Sequence, residues 1–467
     1  MRNALSTGTT LFVAAANSSP EAKAQANYVA DGTADDVEIQ AAINVVSASG
    51  GTVKLAQGTY NTISTIVLTA ATVRLVGSGW STQVNCSADN CIRMGNLGAI
   101  ANDIKIANLS LSNAMPFGNG ISIRGTGLRS VEQVRINTEH DGIEVYRARG
   151  PTYIKGSELL NNGFSGIRIY GYSGIYISEV YVHHNSLAGI RAESAYGGPP
   201  RGVLIENSLI AYNGHHGSDA DGKCSEINVC IGHDGVLMTG DASDWYFNKV
   251  IFMGNNEHGL YAQGSNVQIS NSKFSGNYSG GLRAAVTALR VTDSVAESNK
   301  GPGFHLEGTS TAYLANLVAQ SNGADGFSTT AGQISPHDSA GINLVAIDNG
   351  QNGFRLPGVI NFTCTNCSAI GNGRAGVYSE DNGIRLFGTG NNFWVTGGTV
   401  KDNSGWGIIS QAFYVGVYID NVNLSGNRNG DVSLYGSNNL AVTRASSDLE
   451  IKKKAKVGEP IFWDGSE

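Results

Sequence analysis

The chain has 467 residues, of which 62 are Gly and 9 are Pro, and its net charge is −7 with 15% charged residues. A hydrophobic fraction of 41% is enough to build a core, which excludes wholesale disorder, and the absence of a Gly-X-Y period excludes collagen. The acidic balance argues against a nucleic-acid-binding body, and no apolar run approaches the roughly 18 residues of a membrane span.

The first predicted element is a helix near the N-terminus. Thr33 is a plausible N-cap, and Asp35 and Asp36 suit the first turn of a helix. Apolar residues then recur every three or four positions from Ile39 to Val46, which places them on one face. We expect this amphipathic helix to cover the open end of the strands that follow, within an N-terminal segment of residues 1–50.

A unit made of Asn, three further residues, Gly and an alternating apolar strand recurs through most of the chain. Successive members are most often 22 or 23 residues apart. Thr138 occupies the Asn position of an upstream member, and the Asn residues are Asn162, Asn185, Asn255, Asn277, Asn299, Asn322, Asn349, Asn372 and Asn403.

This period, with short strands and Asn/Gly turns, predicts an all-β fold. The expected architecture is a single-stranded right-handed parallel β-helix of roughly 12 or more coils over residues 51–445. A leucine-rich repeat would need a Leu framework, which the sequence lacks. We expect each Asn to hydrogen-bond to the next Asn in the stack, and each Gly to supply a positive φ at the corner.

The largest irregularity is an inserted loop at residues 215–233, immediately before the strand that begins at Gly235. Long loops that hold titratable residues beside a groove are more often functional than decorative, although a polar surface loop is the alternative. We expect no obligatory cofactor, but the carboxylates of Asp219 and Asp221 offer oxygen ligands for calcium. The relevant residues are His215, His216, Asp219, Asp221, Glu226 and His233.

Six cysteines form three local pairs, which suits short-range disulfides in an oxidising compartment. Buried thiols are the alternative, and the zinc-like spacing of the last pair has no second pair to complete it. The apolar run Leu11–Ala16 is too short for a signal-peptide core, so we expect an extracellular or virion-associated protein without such a leader. The pairs are Cys86 with Cys91, Cys224 with Cys230, and Cys364 with Cys367.

Two further patterns are assigned to the surface. His183 and His184 end a strand of another sheet, where exposure to solvent is expected. The C-terminal tail, residues 446–467, carries the basic run Ile451–Lys456, which is most often a solvated end. Together with Phe462–Trp463, this run could instead dock to a partner or trimerise.

Two parts of the chain resemble a known family. The coils from about Thr138 to Asn427 resemble the generic repeat of that family. The N-terminal signature of the family is resembled by Asp31–Gly32, Asp35–Asp36, Ile39–Ile43, Gly50–Val53 and Gly58–Tyr60. The family is the pectate-lyase-like superfamily, which includes phage tailspike depolymerases, uronan lyases, polygalacturonases and mannuronan C5-epimerases. The resemblance implies a β-helix that acts on polysaccharides, and it leaves the reaction open.

In each coil, the first and third residues after the turn Gly are apolar and face the core, so the second and fourth residues face outward. The second positions hold Glu144, Arg168, Arg191, Leu237, Tyr261, Arg283, His305, Ser328, Arg355 and Tyr378. The fourth positions hold Tyr146, Tyr170, Glu193, Thr239, Gln263, Ala285, Glu307, Thr330, Pro357 and Glu380. Arg binds carboxylates and aromatic faces stack on sugars, which suits a long acidic polysaccharide. A solvated face with cross-strand Arg–Glu pairs is the alternative.

β-Elimination from a uronate needs a cation at the carboxylate, a base and a proton donor. Epimerisation needs nearly the same set, and in the epimerases that the chain resembles the catalytic residues flank the turn Gly, which maps onto Asp234, His258 and Tyr261. Their DPHD motif is present only as Ser335–Asp338, away from that position. The predicted catalytic residues are Arg191, Glu193, Asp234, His258 and Tyr261, and the predicted substrate-binding residues are Tyr146, Arg168, Tyr170, His215, His216, Arg283, His305 and Glu307.

The sequence therefore predicts a protein that binds and depolymerises an acidic extracellular or cell-surface polysaccharide by β-elimination, as a phage-tailspike-like protein. A homotrimer or attachment to a phage tail is compatible with this function, and neither nucleic acid nor a membrane is an expected partner. Hydrolysis would need two carboxyl groups about 5 Å or about 6.5–9.5 Å apart, and no tight Asp pair stands on the strip. A glycoside hydrolase on the same groove and a non-catalytic glycan-binding or structural virion protein are the alternatives.

Overall fold

The computed structural model describes residues 8–171, 174–194, 198–214, 233–330, 336–374, 381–411, 414–435 and 438–443. The chain divides into two compact units, Met1–Tyr246 and Phe247–Glu467, and each unit is described by itself. The described residues form parallel strands wound into about 14 turns, which confirms the predicted all-β parallel β-helix. Neither helix in these ranges is long and apolar enough to cross a membrane.

The two helices are α1 (Pro20–Gln25) and α2 (Asp36–Val46). The first strands are β1 (Thr9–Ala14), β2 (Tyr28–Val29), β3 (Gly51–Leu55), β4 (Gly58–Thr62), β5 (Ile66–Leu68), β6 (Val73–Val76), β7 (Thr82–Cys86), β8 (Asn90–Met94), β9 (Ile104–Asn113), β10 (Asn119–Thr126), β11 (Arg129–Thr138), β12 (Ile143–Arg149), β13 (Thr152–Lys155), β14 (Glu158–Leu160), β15 (Ile167–Tyr170), β16 (Ile175–Ser178), β17 (Tyr181–His183), β18 (Ile190–Glu193), β19 (Arg201–Ala211) and β20 (Val236–Met238). The remaining strands are β21 (Ser243–Met253), β22 (His258–Ser270), β23 (Lys273–Ser275), β24 (Gly280–Val286), β25 (Ala288–Thr292), β26 (Val295–Glu297), β27 (Phe304–Leu306), β28 (Thr311–Gln320), β29 (Phe327–Thr329), β30 (His337–Ile347), β31 (Phe354–Pro357), β32 (Ile360–Thr365), β33 (Ser368–Ile370), β34 (Ile384–Phe387), β35 (Gly390–Thr396), β36 (Thr399–Lys401), β37 (Trp406–Gln411), β38 (Tyr414–Asp420), β39 (Asn423–Ser425), β40 (Gly430–Tyr435) and β41 (Asn438–Thr443).

The predicted N-terminal helix is present as α2, but its N-cap is Asp35, so the assignment of Thr33 is wrong. The reason is that Asp35 accepts hydrogen bonds from the backbone of Gly32 and Asn61, which fixes the entry to the helix against β4. The buried face of α2 packs on β1 and β3. Its role as a cover for the open end of the stack stays a prediction.

Each unit has one sheet, here called its front sheet, that carries the outward columns of the sequence analysis. In the first unit the front sheet consists of β5, β8, β10, β12, β15, β18 and β20. In the second unit it begins with the first half of β22 and continues through β24, β27, β29, β31, β34, β37 and β40. Consecutive coils are in register, so outward side chains of equal position lie side by side.

The predicted stack of asparagines is confirmed in both units. In the second unit, Nδ2 of Asn277 donates to Oδ1 of Asn299 at 2.9 Å, and Asn299 repeats the contact to Asn322 at 2.9 Å. In the first unit, Asn162 donates to Asn185 at 2.7 Å. Because these side chains are buried, the ladder satisfies backbone and amide groups that the turns would otherwise leave unpaired.

The expectation that the turn glycines supply a positive φ is wrong. Neither Gly166 nor Gly303 is among the residues with positive φ; the left-handed corners hold residues such as Asn161 and Asn316 instead. Glycine is required at the turns because the next coil lies too close for a side chain. A Cβ on Gly303 would lie 2.8 Å from the carbonyl oxygen of Gly326.

Two of the three predicted disulfides are formed. Cys86 is bonded to Cys91, and Cys364 is bonded to Cys367. The third predicted pair, Cys224 and Cys230, lies outside the described residues, as does the tail from residue 446 onward. The prediction of local disulfides is therefore confirmed for the pairs that can be observed.

Candidate functional site

The front sheet of the first unit presents a network of charged side chains on four consecutive coils. Glu193 accepts hydrogen bonds from Nε and Nη2 of Arg168 at 3.3 and 3.0 Å through its Oε2 atom. Its Oε1 atom pairs with Arg191 on its own strand. Glu144, on the coil before Arg168, pairs at 3.3 Å with Arg124, which lies one coil earlier still. These outward arginines are thus paired with glutamates. Such pairing is what we expect of a solvated sheet face, the alternative to a polysaccharide-binding face.

A buried carboxyl group that the sequence analysis missed lies at the edge of this network. Asp141 directly precedes the turn Gly142; its Oδ1 accepts from the backbone of Ser165 at 3.0 Å, and its Oδ2 lies 3.5 Å from Nη1 of Arg168. Burial raises the pKa of Asp141, and the neighbouring guanidinium of Arg168 opposes this rise. The sequence does contain a signal for Asp141: it directly precedes a turn glycine, as the predicted catalytic residue Asp234 does.

Aromatic rings lie beside these charges. Before the strands, the ring of His140 lies 4.2 Å from that of Phe164 in a tilted arrangement and 6.3 Å from that of the exposed Phe117. On the strands themselves, the rings of Tyr146 and Tyr170 are 5.9 Å apart, and the guanidinium of Arg168 lies 4.2 Å from the ring centre of Tyr170. Rings that border a polar floor can stack on sugar units.

The front sheet of the second unit has a second cluster around Arg283. Its guanidinium lies 4.8 Å from the ring centre of Tyr261 on the preceding coil and 2.6 Å from Glu307 on the following one. The hydroxyl oxygen of Tyr261 accepts a hydrogen bond from Gln263. The imidazole of His258 is 6.0 Å from the same tyrosine ring. Four of the residues predicted from the sequence therefore lie together.

A cleft of about 230 Å³ opens beside this cluster, lined by His258, Arg283 and His305 together with the apolar edge of Leu282 and Pro302. The two ring nitrogens of His305 bind the hydroxyls of Ser328 at 2.8 Å and Thr330 at 2.9 Å. Burial lowers the pKa of His305 to about 4, so this ring is neutral at neutral pH. Arg283 is then the fixed positive charge of the cleft.

The predicted site residues are divided between the two units. The first unit brings together Arg168, Tyr170, Arg191 and Glu193, with Tyr146 on the neighbouring coil and Asp234 buried before Gly235. The second unit brings together His258, Tyr261, Arg283, His305 and Glu307. The loop residues His215, His216, Asp219 and Asp221 lie outside the described residues.

The second-position column differs from the prediction in two coils. The front strand of the coil that contains Asn372 is Ile384–Phe387, so Arg385 stands in register with Arg355. The reason is that extra residues separate Asn372 from the turn glycine of this coil, Gly383. Tyr378 and Glu380, which were predicted for this coil, lie outside the described residues. Leu237 also departs from its predicted exposure, because only 1% of it is accessible.

Comparisons with known proteins agree with this architecture. The family described as right handed beta helix region matches residues 119–231, 187–322 and 234–409, which together exceed half of the chain. No curated protein matches the sequence.

The solved structures that are similar to the chain include the following three. The pre-mature bacteriophage phi29 gene product 12 has 12% identity and a TM-score of 0.52, over 87% of this chain and 55% of that one. ORF18 of Geobacillus virus E2 has 18% identity and a TM-score of 0.38, over 68% and 57%. The A-module of Azotobacter vinelandii mannuronan C-5 epimerase AlgE6 has 15% identity and a TM-score of 0.39, over 88% and 96%. At these identities the likeness concerns the fold alone.

Proposed function

The chain belongs to the right-handed β-helix family, and from that premise we propose that it binds and depolymerises an acidic polysaccharide by β-elimination at the front sheet of its second unit. The observation that carries this proposal is the position of Arg283 between the ring of Tyr261 and a cleft that His258 also lines. A cation and an imidazole line this cleft, and a phenol lies against the cation. These are the groups that elimination from a uronate requires.

The reaction assigns one role to each group. Arg283 binds the C6 carboxylate of the uronate and stabilises the charge that develops when the C5 proton leaves. Tyr261 or His258 takes that proton, and the other of the two gives a proton to the departing glycosidic oxygen. The C5–H and C4–O bonds break and a C4=C5 double bond forms, so the new chain end is unsaturated and absorbs near 235 nm.

A second candidate function, glycoside hydrolysis, is favoured by the first unit. Its buried Asp141 has a raised pKa and Glu193 is paired with two arginines, and both carboxyl groups contact the guanidinium of Arg168. A pair in which one carboxyl group is protonated and the other is ionised is the arrangement that a hydrolase uses. On this alternative Asp141 is the general acid and Glu193 is the base or nucleophile.

One experiment separates these functions: a panel of uronate-containing polysaccharides is incubated with the protein while absorbance at 235 nm and new reducing ends are measured. We expect both signals to rise together, and Tyr261→Phe to reduce the rate by about 100-fold or more. Tyr313→Phe is the matched control, because Arg290 stacks on Tyr313 at 4.4 Å outside the front sheet.

The other outcomes are equally informative. Reducing ends without absorbance, abolished by Asp141→Asn, would establish a hydrolase in the first unit. Binding without either signal would establish a glycan-binding or structural protein. Equal lyase rates in Tyr261→Phe and Tyr313→Phe would refute the placement in the second unit.

We further propose that the protein acts outside the cell, as a virion-associated tailspike-like component that could form homotrimers. Support comes from the disulfides Cys86–Cys91 and Cys364–Cys367, which suit an oxidising compartment. Calcium at Asp219 and Asp221 is proposed from the sequence. Light scattering coupled to size exclusion tests the trimer, and calcium titration of wild type against Asp219→Asn tests the ion.

A further inference from the structure

Two adjacent histidines of the first unit bring their ring nitrogens together where β17 ends. The Nδ1 atoms of His183 and His184 are 2.7 Å apart. His183 is buried, whereas His184 is exposed and has a φ of 55°. Neither residue belongs to a front sheet, so the pair takes no part in the proposed reaction.

A carboxylate on the preceding coil fixes the tautomer of the buried ring. Oε2 of Glu158 lies 3.0 Å from Nε of Arg135, and Oε1 lies 3.1 Å from Nε2 of His183. A carboxylate that is paired with a guanidinium only accepts hydrogen bonds, so Nε2 of His183 carries the proton and its Nδ1 carries a lone pair.

Two tyrosines hold the imidazole planes. Tyr181 stacks on His183 with 3.7 Å between ring centres and an angle of 22°. Tyr212 stacks on His184 with 5.3 Å between centres and an angle of 30°. The rings are therefore restrained on their faces, and their Nδ1 edges converge on one point.

We propose that His183 and His184 chelate a divalent transition-metal ion of the zinc, nickel or copper class through their Nδ1 atoms. Neutral imidazole is a preferred ligand of these ions. A ligating histidine that donates its other nitrogen to a carboxylate is the arrangement that orients such ligands, and Glu158 supplies that carboxylate. Solvent or an added ligand completes the coordination shell.

The distances allow this site with a small adjustment. Two nitrogens bound to zinc at about 2.0–2.1 Å with a tetrahedral angle lie roughly 3.3 Å apart, so the pair must open by roughly 0.6 Å. The exposed His184 can rotate by this amount, while Glu158 and Tyr181 hold His183. The competing arrangement is a direct N–H···N hydrogen bond between the rings, which binds no ion.

Zinc titration of the full chain by calorimetry, after treatment with a chelator, tests the proposal. We expect His184→Gln to bind one zinc ion fewer per chain than wild type, since His184 is exposed and its loss does not disturb the core. Glu158→Gln should retain the stoichiometry but lower the affinity for this ion by roughly 10-fold, because the carboxylate no longer orients the ring of His183. His337→Gln, a single histidine at the start of β30, is the matched control and should bind as wild type does.

Copper electron paramagnetic resonance gives a second readout, because two nitrogen ligands produce a characteristic hyperfine pattern that His184→Gln should remove. Wild type that binds no zinc, or His184→Gln with the stoichiometry and copper spectrum of wild type, would overturn the proposal. Failure of the lyase assay would not affect it, because none of these residues lies in the proposed cleft.

Discussion

Nη2 of Arg168 lies 3.0 Å from Oε2 of Glu193 on the next coil, and the same carboxylate also pairs with Arg191. The three side chains are only about one-fifth exposed, at 20%, 18% and 21%. A substrate carboxylate could reach either guanidinium only by competing with Glu193. Arg283 in the second unit is also paired, with Glu307, but both side chains are 35% exposed and Arg283 lines a cleft. A substrate carboxylate can displace Glu307 there more readily, which favours Arg283 and Tyr261 for the proposed elimination.

The first prediction concerns the stability that this shared carboxylate provides. Glu193→Gln removes the counter-charge of Arg191 and the closer of the two carboxylates beside Arg168, which keeps its 3.5 Å contact with Asp141. We expect the free energy of unfolding to fall by about 2–4 kcal/mol. Glu307→Gln is the matched control, since Glu307 pairs with one arginine of the described residues, Arg283, and is 35% exposed. The loss in this variant should stay below about 1 kcal/mol. Urea denaturation measures both, and equal losses would contradict the role of the shared pair.

The second prediction concerns Asp325, which occupies the same position before a turn glycine as Asp141. Burial raises the pKa of Asp325, so its ionisation as the pH rises through the folded pKa removes stability. Asp325→Asn keeps the acceptor for the backbone and amide of Asn352 without the charge. We expect a melting temperature a few degrees above wild type at pH 7 and a smaller difference near pH 4.

The exposed Asp338, which accepts a hydrogen bond from Asn361, provides the control for this change. Asp338→Asn should shift the melting temperature by about a degree or less, because no buried charge is removed. A difference between Asp325→Asn and wild type that grows on acidification would contradict the assigned sign.

The repeat explains why much of the fold could be predicted from the sequence. The recurrence of Asn277, Asn299 and Asn322 fixes the coil length, and strand alternation then separates core from surface residues without further information. The spacing also identified the turn glycines, but it could not show that the neighbouring backbone, and not a positive φ, excludes a side chain at Gly303.

The site was harder to predict because it depends on side-chain directions and on variable coil lengths. The columns contained Arg168 and Glu193, but whether an arginine faces a neighbour or a ligand depends on rotamers that the sequence does not specify. Asp141 precedes its turn glycine, whereas strand alternation assigns an outward face only to the residues after the glycine. Arg385 departs from the regular repeat because an insertion separates Asn372 from its turn glycine.

The third prediction uses His305, whose pKa is lowered to about 4 by burial. Because the folded pKa lies below the unfolded value of about 6.5, the stabilising contribution of the neutral ring is complete above pH 6.5 and is lost as the pH falls through 4. His305→Gln can still bind Ser328 and Thr330 but does not titrate. We expect wild type to lose more thermal stability than His305→Gln between pH 7 and pH 4, and parallel melting curves would contradict this.

The fourth prediction concerns the buried asparagine ladder. Asn299 donates to Asn322 at 2.9 Å and to the carbonyl of Phe274 at 3.1 Å, and it accepts from Asn277 at 2.9 Å. Asn299→Ala leaves these buried groups unsatisfied, so we expect a loss of about 2–4 kcal/mol in the free energy of unfolding. Asn85→Ala is the control: Asn85 also bonds to the neighbouring coils, but it is exposed, and water can replace its partners. Asn85→Ala should lower the free energy of unfolding by about 0.5 kcal/mol in the same urea titration. A comparable loss in both variants would show that the ladder stabilises the coils no more than surface contacts do.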